Sequence, residues 1–265
     1  NTYLAGYQNS SGATLTNSSG ATGIVKAYLI WETRQPYVQS DESANHVRFI
    51  MRDGRAWKNI YPDYVYNDNR KFSGWGNADL RTCYTMVADV TNIVKAYGYG
   101  DYYVANIPEY HSTTTGGDNM CSWQLVVVEE GNNFPVRALT LKVGAKWRFG
   151  DAAYGDTSYL DTNVAFSNGI KSKSSGSVSG QLLFGCANDH DSTYTNLATT
   201  LYTADSGGNR TRVAGSTLYG GGLYKNGGKQ ITEYGIIADL RNVSSGLGNN
   251  ATVVGAEVNN IYWNT

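Results

Sequence analysis

The chain has 265 residues, which is enough for one large domain or two ordinary domains with hydrophobic cores. Its 21 Lys and Arg are balanced by 22 Asp and Glu, and the formal net charge of -1 creates no long-range field that would attract nucleic acid or an anionic membrane. No apolar run reaches the roughly 18 residues that a membrane-spanning helix needs, so membrane insertion is not expected.

The amino-acid composition favours strands over helices. Glycine (31 residues) and tyrosine (21 residues) are abundant beside many Ser, Thr and Asn, whereas proline (4) and methionine (3) are scarce. Tyr fits pleated strands, and Gly, Ser, Thr and Asn supply polar turns. The composition therefore predicts an all-β fold of the jelly-roll or β-sandwich type.

The first predicted strand covers residues 24–32, where a nearly continuous apolar run with β-branched and aromatic side chains indicates a buried, extended segment. Trp31 is expected in the core. A second strand is predicted over residues 46–52, followed by a turn at Asp53 and Gly54. Residues 61–76 mix Asn, Asp, Gly and aromatic residues without a period, which predicts a long surface loop.

Residues 84–98 change their period from that of a strand to that of a helix. Asp89 or Thr91 is the candidate cap of one or two helical turns, and Gly98 is expected to end them. The strand pattern resumes over residues 101–107. Two further apolar runs flank residues 131–134 (GNNF), and this arrangement gives the strongest hairpin signal in the chain.

The second half of the chain repeats this pattern more faintly, with a predicted hairpin tip at residues 206–209 (SGGN). Residues 84–98 and 234–248 share Tyr, Ala, Asp, Asn and Gly at equal positions. The match indicates either a duplicated unit or a coincidence. A duplication predicts two related sandwiches in tandem, residues 1–148 and 149–265, with Asp89 and Asp239 as equivalent caps. Otherwise residues 149–265 form the second half of one extended sandwich.

The sequence does not indicate an enzyme. The chain has only three histidines that could serve as general bases, and it lacks the GxSxG nucleophile motif. Glu129 and Glu130 are adjacent on a predicted strand, so they point to opposite faces and cannot act together on one substrate. A glycan-active hydrolase with carboxylates from distant strands remains an alternative.

Two Asp-rich stretches are candidate calcium sites, because Ca²⁺ is bound by several oxygen atoms from one compact loop. Residues 150–163 contain Asp151 and Asp156, and residues 188–196 contain Asp189 and Asp191. Neither stretch fits the EF-hand pattern. The alternative interpretation is a pair of Asx-rich turns, and no other cofactor is indicated.

Aromatic residues near predicted loops are the candidate ligand-binding residues. Exposed rings offer flat, amphipathic faces that stack on sugars or grip a protein partner. The alternative is that they fill a core. The predicted set consists of Tyr64, Tyr66, Trp75, Tyr97 and Tyr99.

The cysteines and one lysine raise the question of covalent stabilisation. Cys83, Cys121 and Cys186 have no zinc-like spacing, and they are either buried thiols or one disulfide and one thiol. A spontaneous Lys–Asn bond would require a desolvated lysine with a lowered pKa beside an acid. Lys26, Glu32 and Asn259 are the candidate residues for such a bond.

Three ordered blocks, residues 25–32 (VKAYLIWE), 88–107 (ADVTNIVKAYGYGDYYVANI) and 121–145 (CSWQLVVVEEGNNFPVRALTLKVGA), resemble the N-terminal region of large bacterial and archaeal surface proteins of the Gram-positive, adhesin-like repeat type. The resemblance implies a secreted, non-enzymatic β-sandwich at the cell surface, with wall anchoring through regions outside this chain. The aromatic stretch at residues 61–76 and the cysteines depart from that pattern, so the ligand's identity cannot be inherited.

The leading functional prediction is a monomeric adhesin-type domain that binds a glycan or protein ligand at the cell exterior without catalysis. The first alternative is a mechanical stalk or pilin-like module with an internal covalent crosslink. The glycan-active hydrolase is the second alternative.

Overall fold

The computed structural model describes residues 10–36, 46–51, 54, 56–71, 80–108, 121–145, 162–188, 197–204, 209–213, 218–220, 235–244 and 247–260. These residues form antiparallel sheets and one short helix, which confirms the all-β class. The chain divides into two compact units, Asn1–Trp147 (unit 1) and Arg148–Thr265 (unit 2). Each unit has its own sheets and its own hydrophobic core.

Unit 1 contains two four-stranded antiparallel sheets. The strand order is β1-β7-β3-β4 in sheet A and β5-β6-β2-β8 in sheet B. The elements are β1 (Ser11–Leu15), β2 (Gly23–Pro36), β3 (Val47–Met51), β4 (Ala56–Ile60), β5 (Tyr64–Lys71), β6 (Leu80–Asp89), α1 (Thr91–Tyr97), β7 (Gly100–Ala105) and β8 (Cys121–Glu130).

The two sheets of unit 1 contribute to one hydrophobic core. Along β2, alternate residues Ala27, Leu29 and Trp31 are fully buried, as expected when one face of a strand is apolar. Phe49 and Tyr102 of sheet A belong to the same core, and their rings stack with centroids 5.3 Å apart. The strand predicted over residues 24–32 and the burial of Trp31 are confirmed.

The helix predicted after the strand of residues 84–89 is also confirmed. The predicted cap was wrong, because the N-cap is Val90, which makes no side-chain cap hydrogen bond. Asp89, the residue before it, accepts a hydrogen bond through Oδ1 from the Thr91 N–H at 2.9 Å. Gly98 ends the helix with a φ of 69°, a conformation that favours glycine. Its N–H donates to the Val94 carbonyl at 2.8 Å.

The prediction of a long loop over residues 61–76 was wrong for residues 64–71, because β5 occupies Tyr64–Lys71, and residues 72–76 lie outside the described residues. This strand pairs with β6 and has no second neighbour among the described residues. A strand at a sheet edge does not have to bury both faces. Residues 67–71 of this strand are all polar, so hydrophobic periodicity did not indicate a strand there.

The predicted hairpin at residues 131–134 forms its turn but not its second strand. The Phe134 N–H donates to the Gly131 carbonyl at 3.0 Å, yet residues 135–145 form no strand among the described residues. Pro135 follows the turn directly and has no N–H for a ladder. The Phe134 ring packs against Gly20 and Gly131, and this contact fixes the end of β8 to the turn before β2.

Unit 2 has seven described strands in two antiparallel sheets. Sheet C has the order β12-β11-β15-β9 with β13 also paired to β11, and sheet D consists of β10 and β14. β11 and β12 pair antiparallel on the two sides of the predicted hairpin tip at residues 206–209, of which residues 206–208 lie outside the described residues. The strands are β9 (Thr162–Lys171), β10 (Gln181–Asn188), β11 (Leu197–Ala204), β12 (Arg210–Arg212), β13 (Leu218–Gly220), β14 (Gly235–Asn242) and β15 (Thr252–Asn260).

Six strands of unit 2 follow the order of six strands of unit 1, whereas the fifth strands differ, since β5 pairs with β6 and β13 pairs with β11. The order β9-β15-β11-β12 of sheet C repeats the order β1-β7-β3-β4 of sheet A, counted from the first strand of each unit. The pair β14-β10 repeats the pair β6-β2 in the middle of sheet B. A shared order of six strands over two sheets favours a duplicated unit over a chance match of short sequences.

A shared turn fixes the residue equivalence between the units. In unit 1, the Val90 N–H donates to the Ala27 carbonyl and the Ala27 N–H donates to Thr91 Oγ1, both at 3.0 Å. Asp89 Oδ1 completes this turn through its bond to the Thr91 N–H. The last residue of β6 thereby connects the start of α1 to the backbone of β2.

Unit 2 repeats each of these hydrogen bonds. The Val243 N–H donates to the Gly180 carbonyl at 2.9 Å, and the Gly180 N–H donates to Ser244 Oγ at 3.0 Å. The Ser244 N–H donates to Asn242 Oδ1 at 2.9 Å. The residue equivalent to Asp89 is therefore Asn242, and the predicted equivalence with Asp239 was wrong by three positions, since Asp239 lies within β14.

Candidate ligand-binding surface

Exposed aromatic side chains concentrate between residues 57 and 66, where the chain leaves sheet A and enters sheet B. The exposed fractions are 49% for Trp57, 57% for Tyr61, 64% for Tyr64 and 38% for Tyr66. β4 and β5 are edge strands of their sheets among the described residues. Exposed aromatic rings are candidates for ligand contact, and those on sheet A define the candidate ligand-binding surface.

The outer face of sheet A carries two of these rings. Val47 and Phe49 of β3 face the core, so Arg48 projects from the opposite face. Val47 pairs with Ile60, which is also in the core, and the neighbouring strand therefore presents Trp57 on the same outer face as Arg48.

Each ring on this outer face is in contact with a basic or titratable side chain. The guanidinium carbon of Arg48 lies 3.9 Å from the centroid of the Trp57 ring, a cation–π distance. The His46 and Tyr61 rings lie 5.0 Å apart with an interplanar angle of 32°. These four residues are called the cation–aromatic strip below.

A second buried cluster lies beside the strip on the outer side of sheet A. Ile50, which pairs directly with Trp57, is almost fully buried together with Tyr103 and Ala105 on the outer side of sheet A. The Tyr103 ring lies across Gly12 of β1, so closely that a Cβ at that position would be 2.2 Å from the ring. Trp57 of the strip is therefore next to a closely packed cluster.

Trp57 and Tyr61 are four residues apart along an extended chain, which separates them by about 13 Å at a rise of about 3.3 Å per residue. Two rings at this separation cannot stack on one sugar ring. They can stack on two rings of an extended oligosaccharide, while Arg48 offers hydrogen-bond donors between them. This spacing suits the strip to an extended ligand.

The structure describes four of the five predicted ligand-binding residues. Tyr64 and Tyr66 pair with Val87 and Thr85, on the face of sheet B that is opposite to the core residue Met86. They are exposed on the outer face of sheet B. Trp75 lies outside the described residues.

Tyr97 and Tyr99 are partly buried and pack against the core of unit 1. Hydrogen bonding to Glu129, burial and the charge of that carboxylate raise the pKa of Tyr99. The contact is not ideal, since by distance and angle the Tyr99 hydroxyl has no hydrogen-bond partner in the described part of the chain. These positions favour a packing role for both tyrosines.

Glu129 closes one end of unit 1 rather than facing a substrate. Its carboxylate accepts bonds from the Ser18 hydroxyl and from the Ser18 N–H, the latter at 3.3 Å to each oxygen. Burial raises the pKa of Glu129, but the hydrogen bonds from Ser18 and Tyr99 outweigh it, and the net pKa is lowered. An ionised, hydrogen-bonded carboxylate at this position is consistent with a structural role.

The candidate calcium residues Asp151, Asp156, Asp189 and Asp191 lie outside the described residues. Within the described ranges, no three His, Cys, Asp or Glu side chains are grouped so that they could hold a metal ion. The described part of the chain also contains no helix that is long and apolar enough to cross a membrane. Cys121 carries a thiol, partly buried against the core of unit 1.

The candidate crosslinking lysine does not meet the chemical requirement for an isopeptide bond. Lys26 Nζ lies 2.9 Å from Asp89 Oδ2, and both side chains are partly exposed. The hydrogen bond to Asp89, followed by the charges of Asp89 and Tyr28, raises the pKa of Lys26. A reactive lysine would need the opposite shift, so this residue is a solvated ion-pair partner.

We expect the lowered pKa of Asp89 to make the free energy of unfolding of unit 1 depend on pH in the acid range. Hydrogen bonds from Thr91, then from Lys26, lower its pKa from 3.8 to about 2. Because the folded-state pKa is depressed, this stability is present above the unfolded pKa near 4 and is lost as the pH falls towards 2. After discounting for solvent screening, we expect a loss of about 1 kcal/mol.

The test measures the free energy of unfolding between pH 5 and about pH 1, a range that extends above 3.8 and below the folded-state pKa of about 2. D89N keeps the acceptor for the Thr91 N–H, as Asn242 does in unit 2, and should remove the acid-dependent part. K26M should retain most of this acid dependence, because the hydrogen bond from Thr91 lowers the pKa of Asp89 more than the one from Lys26 does. Equal acid dependence in the D89N variant and the parent chain would contradict this assignment.

Comparisons with known proteins give no family assignment. A scan against models of protein families and searches of curated proteins and solved structures find no match to the chain. We therefore infer the function from the residues of the candidate ligand-binding surface.

Sequence reasoning missed Trp57, His46 and Arg48 as members of the candidate surface. The signal that could have found them is their spacing. His46 and Arg48, like Trp57 and Tyr61, occur at positions of equal parity on two strands, and so share a face once the strands pair. The pairing itself was not predicted, because residues 56–60 have no clear apolar alternation.

Proposed function

We propose that this chain is an exported, non-catalytic binding domain of a microbial cell surface, and that it recognises a glycan through the cation–aromatic strip. One observation carries the proposal. Trp57 and Tyr61 are about half exposed, yet the Trp57 ring contacts Arg48 of β3 and the Tyr61 ring contacts His46, which directly precedes β3. Such rings are pre-organised for stacking, which lowers the entropic cost of binding.

A glycan fits this surface better than a folded protein does. Trp57 lies on β4 and Tyr61 directly follows that strand, and the residues that separate them, Lys58, Asn59 and Ile60, include polar and exposed side chains. A protein interface of standard size needs a larger apolar centre. Sugar rings combine an apolar face with hydroxyl groups, which matches aromatic rings beside the donors of Arg48.

The finer fold and the cellular location are part of the same proposal. Because sheets A and B contribute to one core, we propose that they pack as a β-sandwich of jelly-roll type. The resemblance of residues 25–32, 88–107 and 121–145 to adhesin-like surface proteins supports export and display at the cell exterior. The balanced charge and the high Gly, Tyr, Ser, Thr and Asn content are consistent with that location.

The test is an oligosaccharide array, followed by calorimetry on the strongest binder with the purified full chain. W57A and Y61A should each weaken binding by about tenfold or more, which corresponds to about 1.4 kcal/mol. Y64A is the matched control, since it removes an equally exposed tyrosine from the other sheet and should change the affinity less than about threefold.

Two results would contradict the proposal. The first is an array without any bound oligosaccharide, and the second is an affinity that falls with Y64A but not with W57A. The second result would move the binding surface from sheet A to the Tyr64 and Tyr66 face of sheet B.

A further inference from the structure

The segment that carries the cation–aromatic strip is basic, although the whole chain is not. Residues 46–61 contain four basic residues and one acidic residue, which gives a formal charge of +3 with histidine neutral, whereas the whole chain has -1. The basic residues are Arg48, Arg52, Arg55 and Lys58, and the acidic residue is Asp53. Of these, residues 52, 53 and 55 contribute to the charge but lie outside the described residues. A local excess of positive charge beside exposed rings favours an anionic ligand.

The strand ladder places Arg48 between the two exposed rings of the strip. Arg48 pairs with Asn59, which is two residues from Trp57 on one side and two residues from Tyr61 on the other. Arg48, Trp57 and Asn59 share the outer face of sheet A, because side chains alternate along paired strands. A ligand that contacts both rings therefore passes the rung of Arg48 and Asn59.

The contact with Trp57 positions the guanidinium group for an anion. Its carbon lies 3.9 Å from the centroid of the Trp57 ring, and at this distance a planar guanidinium stacks on the ring by its face. A guanidinium has five N–H donors in its plane, and carboxylates bind such a fork through two parallel hydrogen bonds. Arg48 can therefore bind a carboxylate beside the Trp57 ring while it keeps its own contacts with the protein.

Unit 2 has an arginine–aromatic pair on the equivalent strands, but there the ring is buried. β11 and β12 correspond to β3 and β4 in the shared strand order. The guanidinium carbon of Arg210 lies 4.7 Å from the centroid of the Tyr202 ring. Tyr202 is 2% exposed, whereas Trp57 is 49% exposed. The pair in unit 2 is thus a packing contact, and the pair in unit 1 keeps part of its ring available to a ligand.

We propose that the cation–aromatic strip selects an acidic glycan, whose sugar units stack on Trp57 and Tyr61 and whose carboxylate binds the guanidinium of Arg48. This selectivity rests on the proposed function and adds the chemical class of the sugar. A uronic acid combines an apolar ring face with a planar carboxylate, so it can make both contacts. A neutral sugar keeps the stacking but gains no charge-assisted hydrogen bond, so it binds less tightly.

The probes are an oligosaccharide of uronic acids, long enough to span the roughly 13 Å between the rings, and the same oligosaccharide after reduction of its carboxylates to primary alcohols. The two ligands have the same length and the same ring faces, and they differ in charge. Calorimetry with the full chain should give an affinity about tenfold or more higher for the acidic form. This preference should shrink as NaCl is raised from about 0.05 M to about 0.5 M, because salt screens an exposed ion pair.

R48Q should remove the preference, because glutamine keeps hydrogen-bonding groups but carries no charge. Binding of the acidic form should weaken about tenfold or more, and binding of the reduced form should change less than about threefold. Retained binding of the reduced form shows that R48Q is folded. R48K, which keeps the charge and loses the planar fork, should retain part of the preference.

R210Q is the matched control for R48Q. It removes an arginine that contacts an aromatic ring on the equivalent strands of unit 2, where the ring is buried. Both affinities should stay within about threefold of the parent chain.

Three results would overturn the acidic selectivity while W57A still weakens binding of the glycan. They are an affinity for the reduced form equal to or higher than that for the acidic form, an equal loss of both forms in R48Q, and a loss of the preference in R210Q. Tighter binding of a single-stranded oligonucleotide than of the uronic acid oligosaccharide would overturn it as well and would identify a nucleic acid as the occupant. An array without any bound oligosaccharide would instead contradict the proposed function itself.

Discussion

G12A should destabilise unit 1 by about 1–3 kcal/mol, because the new methyl group would overlap a buried ring. The Cβ would lie 2.2 Å from Cδ1 and 2.5 Å from Cε1 of Tyr103. Tyr103 is almost fully buried and packs with Ile50 and Ala105, so its ring cannot swing into solvent without opening that cluster. Either β1 must move away from β7 or Tyr103 must repack.

The measurement is guanidinium-induced unfolding of the full chain followed by tryptophan fluorescence. G144A is the matched control, since a Cβ at Gly144 would meet nothing within 4 Å and should change the stability by less than about 0.5 kcal/mol. If G12A and G144A have equal stability, Tyr103 does not lie fixed across Gly12 in solution.

The same substitution connects the packing of sheet A to the candidate surface. Ile50 packs with Tyr103 and is the direct partner of Trp57 in the ladder. Displacement of Tyr103 should therefore shift Ile50, and with it the neighbouring Trp57 of the cation–aromatic strip. We expect G12A, measured where it is still folded, to weaken glycan binding more than G144A does.

T91V should cost about 1–3 kcal/mol, because it leaves a buried backbone group without its hydrogen-bond partner. Thr91 is buried, and its Oγ1 accepts from the Ala27 N–H at 3.0 Å. Valine has almost the same shape but no oxygen, so the loss reports on the hydrogen bond rather than on a cavity.

T91S is the control for this position, and unit 2 provides the reason. Ser244 makes the equivalent bond to the Gly180 N–H at 3.0 Å, so a hydroxyl without the methyl group is sufficient. T91S should lose less than about 1 kcal/mol in denaturant unfolding. Equal losses in T91V and T91S would mean that the methyl group, not the hydrogen bond, stabilises the turn.

Hydrophobic periodicity and local turn chemistry correctly predicted several elements. The strand over residues 24–32 was found because both its faces are apolar enough to leave a continuous signal. The helix Thr91–Tyr97 and its end at Gly98 were found because capping depends on residues within one turn of the chain.

The errors share a different physical origin. β5 is a strand because β6 offers it a ladder, and polar residues such as Asn67 are tolerated at that edge. Residues 135–143 have a strand-like alternation, yet no strand in the described structure accepts them after Pro135. In both cases the outcome depended on a partner far along the chain.

The duplication shows the same limit at a larger scale. Ungapped sequence matching aligned Asp89 with Asp239, because identical letters outweighed the chemically similar Asn242. The hydrogen bonds to Ala27 and Gly180 identify the equivalent residues without ambiguity. Asp and Asn are interchangeable there because each supplies a side-chain oxygen to the same backbone N–H.

By itself, the sequence determined the all-β class, the short helix, the buried central strand and the absence of a strong net charge. These properties depend on composition and on neighbours within a few residues. Only the tertiary structure decided which of the described strands lie at sheet edges and which aromatic rings remain in water. Those properties depend on long-range pairing, since the same alternating segment is buried between two partners and exposed beside one.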